Sequence, residues 1–140
     1  MIILDTNVLS ALMQAEPDTA VVGWLDQQPA ESIWITSITL FEAHLGIELL
    51  TRGKRQRTLA ASLDQLLVED LENRVLDFDA AAAVEAAVLA ATRQKAGHPV
   101  DMRDTQIAGI ALARRASIAT RNLRHFEDLK VSVVNPWKAD

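Results

Sequence analysis

The stretch "MIILDTNVLS", residues 1–10, passes from four apolar residues into an acid, a threonine and an asparagine, and then into helical spacing. Ile2 and Ile3 are β-branched and suit a strand buried on both faces. Asp5, Thr6 and Asn7 are residue types that cap helices, and Val8, Leu9 and Leu12 recur on one helix face. The stretch therefore predicts a strand that becomes a helix at residues 5–7, with a carboxylate just past the strand's carboxyl end.

The same alternation continues along the chain. A second helix carries Val21, Val22, Trp24 and Leu25 on one side and stops before Pro29. "SIWITS" reads as a second strand, and Ser37 or Thr39 caps the helix through "LFEAHLGIELL", in which Gly46 permits close packing. Leucines 59, 63, 66, 67 and 71 predict one long amphipathic helix over "TLAASLDQLLVEDLE". "RVLDFD" is a third strand, followed by an Ala-rich helix ending near Gly97 and Pro99, and then by the helix "DTQIAGIALARRA" with Asp104 as its cap. "SIATRN" and "KVSVVN" supply the last two strands. Strands separated by helices cannot form hairpins. The expected fold class is α/β, a three-layer α/β/α sandwich around a mainly parallel sheet of about five strands, in one domain spanning residues 1–140.

Composition narrows the function. An apolar fraction of 49% and a charged fraction of 24% are those of an ordinary globular protein. The start has no basic segment before a long apolar run, so no export is expected, and the Ala-rich stretch is divided by Glu85 and too short to span a membrane. The absence of cysteine excludes thiolate zinc sites and a Cys nucleophile, and accords with a cytoplasmic location. With 19 acidic against 14 basic side chains, a phosphate-bearing substrate has to be met by local positive charge or by metal.

In parallel sheets the site lies beyond the carboxyl ends of the strands. Asp5 leaves the first strand, Glu42 stands early in the helix after the second, and Asp104 opens the helix before the fourth, so all three can reach one edge. Carboxylates held together repel unless a cation neutralises them, and oxygen donors alone favour Mg2+ or Mn2+. Each acid also has a plainer explanation, as a cap for Asp5 and Asp104 or a solvated helix residue for Glu42. Their coincidence is what points to metal.

Four blocks, "ILDTNVL", "SITLFEAHLGIELL", "DMRDTQIAGIALARRA" and "IATRNLRHFEDLKVSVVNPW", closely resemble the PIN-domain ribonucleases, and more narrowly the VapC and FitB-like toxins of type II toxin–antitoxin systems. The resemblance covers nearly the whole chain in family order. It implies a Mg2+- or Mn2+-dependent endoribonuclease that cuts RNA, forms a homodimer, is held inactive by a cognate antitoxin and meets DNA only through that antitoxin. Asp5, Glu42 and Asp104 fall on the family's principal acidic positions, and Thr6 on the small hydroxyl residue that supports the metal shell. Asn7 stabilises the turn.

The fourth block departs from the family, with Asn122 and His125 where many relatives carry an acid. Asn122 can still orient a water, but it adds no charge, which leaves one metal or two open, and Asp101 is an auxiliary candidate. The histidines form no zinc pattern, so packing or surface roles are expected for His125 and the others. Arg121 and Arg124 flank Asn122 and are the substrate candidates; Arg114 and Arg115 join them as a second basic cluster near the same edge, after the run Arg52–Arg57. Trp24, Trp34 and Trp137 are read as buried rather than base-stacking, and the leucine-rich helices offer a groove to the antitoxin. The alternative is a catalytically degenerate module that acts only through a partner. An aspartyl nucleophile of the haloacid-dehalogenase type ranks last, since Asn7 stands where that chemistry needs a second acid.

Overall fold

The computed structural model describes residues 1–138. Strand β1 (Ile2–Leu4) ends at Asp5, whose side chain accepts from the Thr6 N–H, and helix α1 (Thr6–Met13) starts there. Asp18 caps α2 (Thr19–Asp26) through the Ala20 and Val21 N–H groups. Strand β2 (Ile33–Thr36) leads directly into α3 (Ser37–Glu48), but the cap is Thr36, which accepts from the Thr39 N–H, rather than Ser37 or Thr39. Helix α4 begins earlier than the leucine pattern, at Lys54, and ends at Gln65. The remainder of the expected long helix is wound as a π turn over Leu66–Asp70, which widens the spacing before Leu71 turns into the core.

After β3 (Val75–Leu76), α5 (Ala80–Lys95) is capped by Asp79 and closed by Gly97 at φ 75°, a left-handed position suited to glycine. Helix α6 (Met102–Arg114) follows, then β4 (Ser117–Ala119) and β5 (Val133–Val134). The last strands are shorter than "SIATRN" and "KVSVVN" suggest.

All strand pairs are parallel, in the order β3-β2-β1-β4-β5. Two cores form, one on each face of the sheet. Leu4, Ile33, Ile35 and Ala119 pack with α1 to α4, whereas Ile3, Leu76 and Ile118 pack with α5 and α6, as pleat alternation requires. This is the expected three-layer sandwich. The glycine that lets helices approach is Gly109, not Gly46: a Cβ on Gly109 would lie 2.6 Å from the Ala82 carbonyl oxygen, while one on Gly46 would meet nothing within 4 Å.

Among the described residues no helix is long and apolar enough to cross a membrane.

Candidate metal centre

The strand order reverses at β1. The chain lays β2 and β3 on one side of it and later returns to lay β4 and β5 on the other, so a crevice opens at the carboxyl ends of β1 and β4. The Asp5 N–H donates to the Ala119 carbonyl at 2.9 Å, which fixes these two ends together. Asp5 is 2% exposed, and both its oxygens are held: Oδ1 accepts from the Thr6 N–H at 2.8 Å, and Oδ2 from Thr120 Oγ1 at 2.7 Å and Asn7 Nδ2 at 3.2 Å.

Thr120, buried at the end of β4, is the centre of this network. Its hydroxyl donates to Asp5 and accepts from Asn7 Nδ2 at 3.3 Å and from the Asn122 N–H at 3.0 Å. Asn7 does more than stabilise a turn, because its Oδ1 also accepts from the Arg121 N–H at 3.1 Å. Sequence reading missed Thr120. The available signal was that a hydroxyl residue follows β4, as Thr6 follows β1.

Glu42, in the second turn of α3, accepts at Oε1 from Thr6 Oγ1 (2.8 Å), and Thr39 Oγ1 lies 3.1 Å from the same hydroxyl. Its other oxygen takes a 3.4 Å contact from Arg103 Nη1. Asp104 is not the cap of α6. Asp101 is, with Oδ1 accepting from the Asp104 N–H at 3.0 Å, and this leaves the Asp104 carboxylate free to face the crevice. There its Oδ2 is hydrogen-bonded to His125 Nδ1, which brings this half-exposed histidine against one of the candidate acids.

The three acids thus reach one end of the sheet and act on one another. Burial, opposed by the Thr120 and Thr6 bonds, raises the Asp5 carboxyl above the ordinary range, and the charges of Asp104 and Glu42 push it further. Asp104 is raised as well, first by burial, against the His125 bond and with Asp101 and Glu42 adding repulsion. Among the described residues, however, no three His, Asp or Glu side chains are grouped so as to close around an ion, each acid being turned to a protein partner. By donor chemistry the set suits a divalent cation: hard anionic oxygens whose mutual repulsion a cation relieves.

A cleft of about 650 Å3 opens beside Asp104, lined by Asp101, His98, Arg124 and His125. Asn122 and Arg124 border an adjoining hollow. Arg121 is turned aside, with its guanidinium 4.7 Å from the Trp137 ring centroid. Arg114 is bonded to Asp79 at 3.0 Å, and with Arg115 it lies ten residues along α6 from Asp104, about 15 Å away. Those two arginines do not serve this edge.

The family model for the PIN domain matches residues 2–131. The chain belongs to the PIN-domain family. Among PIN-domain relatives, plasmid stability protein StbB of Pseudomonas syringae pv. tomato is 41% identical over 99% of this chain and 100% of its own length. VapC ribonuclease Y4jK of Sinorhizobium fredii is 37% identical over 99% of both chains, and toxin FitB of Neisseria gonorrhoeae 34% identical over 98% and 99%. A chain in the crystal structure of FitAcB from Neisseria gonorrhoeae superposes with a TM-score of 0.89 at 34% identity, covering 99% of this chain and 100% of that one.

Proposed function

We propose that this PIN-domain protein is a metal-dependent endoribonuclease that serves as the toxin of a toxin–antitoxin pair, hydrolysing RNA phosphodiester bonds until a cognate antitoxin protein neutralises it. The observation that carries this reading is the buried Asp5 at the β1–β4 crevice, electrostatically coupled to Glu42 and Asp104. End-to-end similarity to proteins named VapC ribonuclease and toxin FitB supports it. A homodimer that meets DNA only through the antitoxin is the assembly this reading carries with it.

Asp5, Glu42 and Asp104 would hold Mg2+ or Mn2+. The ion, when bound, supplies Lewis acidity and a water of lowered pKa for phosphodiester hydrolysis. The chain's own residues prepare that site. Thr120 and the Thr6 N–H fix both Asp5 oxygens, while the Thr6 hydroxyl holds Glu42. The Asn122 side-chain amide makes no hydrogen bond among the described residues and is the group left to orient a water or phosphate. Arg124, lining the cleft beside Asp104, offers positive charge to the RNA backbone. A largely apolar cleft of about 360 Å3 lined by Leu4, Leu9, Leu12, Leu25, Leu66 and Leu71 suits an apolar segment of the antitoxin.

The test is cleavage of RNA with added magnesium or manganese. Asp5→Asn and Asp104→Asn should each lose about a hundredfold or more in rate, and undiminished cleavage by either overturns the assignment. The degenerate-module reading is favoured by one observation, the absence of a closed three-residue ligand group among the described residues. Calorimetric titration separates the two: manganese binding that disappears in Asp104→Asn belongs to the nuclease, and no binding at millimolar manganese belongs to the module.

A further inference from the structure

Glu42, one of the candidate acids, has a permanently charged neighbour at the rim of the site. Arg103 immediately precedes Asp104 in the first turn of α6, where the helix dipole disfavours a cation. Its Nη1 lies 3.4 Å from Glu42 Oε2, and its guanidinium carbon lies 5.2 Å from the centroid of the Phe41 ring. Arg103 and Phe41 are each 49% exposed, so the pair stands at the rim of the site and faces solvent.

Two other arginines show what a structural role looks like in this molecule. Arg74 gives bonds to the carbonyl oxygens of Ile33, Ala30 and Asp70, and Arg93 gives two to Asp128 and one each to Thr105 and His125. Arg103 makes one long contact with five N–H groups available. A guanidinium held by an aromatic face and by a single long contact to Glu42 still matches a phosphate diester in charge and in forked geometry. With a net charge of −5 the chain has no broad attraction for an anionic strand, so phosphate contacts have to come from individual cations such as Arg103 and Arg124.

We propose that Arg103 is a phosphate-binding residue of this site, held at the rim by Phe41 and gripping the RNA backbone beside the acids. This rests on the nuclease reading and extends it by naming a contact for the substrate. Binding of a fluorescein-labelled, mixed-sequence single-stranded RNA is measured by anisotropy in EDTA, where cleavage is off, from about 50 to 200 mM salt. Arg103→Ala is expected to weaken binding about tenfold and to lower the slope of log Kd against log salt by about 1. Arg103→Lys should keep the slope with part of the affinity, and Phe41→Ala should keep the slope with a smaller loss. Unchanged Kd and slope in Arg103→Ala overturn the proposal and assign Arg103 to Glu42 alone. Failure of the nuclease reading is seen separately, as no RNA cleavage by the unmodified chain with manganese. In that case the same binding comparison still decides for or against Arg103.

Discussion

Without metal, the Asp5 and Asp104 carboxyls sit above their ordinary range chiefly because they are buried, so the folded chain binds their protons more tightly than the unfolded chain does. Such groups stabilise the fold while protonated; the contribution is complete below their unfolded pKa and is lost as pH rises through the higher folded value. Asp128 has the opposite sign. The Arg93 bond holds it below the ordinary range, so its contribution is present above its unfolded pKa and is lost as pH falls through the lower folded one. At neutral pH the Asp104 charge therefore costs the fold stability. In EDTA at pH 7, Asp104→Asn should raise the melting temperature by about 2–4 °C, because the amide oxygen can still accept from His125. Manganese should raise the melting temperature of the unmodified chain and leave the variant's unmoved. A lower melting temperature for Asp104→Asn in EDTA would show that the carboxylate is not strained by its surroundings.

Two glycines in helices have opposite meanings, and substitution should separate them by sign. Gly46 lies exposed in the interior of α3 with open space around it, so Gly46→Ala removes only backbone freedom from the unfolded chain and should stabilise by about 0.5–1 kcal/mol. Gly109 lies at the contact of α6 with α5, where an added Cβ would come 2.7 Å from the Ala86 Cβ and closer still to backbone. Gly109→Ala has to push the helices apart and should cost about 1–3 kcal/mol in denaturant unfolding. Equal shifts of the two midpoints would mean that the α5–α6 contact is not close-packed. Sequence spacing alone cannot tell these glycines apart, since both sit in helical patterns and only one faces another backbone.

Across the whole molecule, Arg93 joins three separate parts. From α5 it reaches the Asp128 carboxylate at 2.8 and 2.9 Å, the His125 carbonyl at 2.7 Å and, in α6, the Thr105 hydroxyl at 3.2 Å, next to Asp104. Arg93 is buried and Asp128 is half exposed, so losing Asp128 leaves a charge inside the protein while losing Arg93 removes the clamp itself. Arg93→Ala and Asp128→Ala should each destabilise, and the double variant by at least about 1 kcal/mol less than their sum; strict additivity would deny the coupling. What the sequence determined by itself was the strand-to-helix passage at Asp5, the alternation of elements and the parallel three-layer class, and it brought Asp5, Glu42 and Asp104 forward as the candidate acids. Caps and periodicities act within a turn or two, and so they can be read from neighbours. The tertiary structure alone decided that Thr120 donates to Asp5 across 115 positions and that His125 and Arg103 each engage a candidate acid. Those pairings follow from the register of β1 against β4 and the seating of α6 on the sheet, which the burial of both sheet faces fixes together and no short stretch contains.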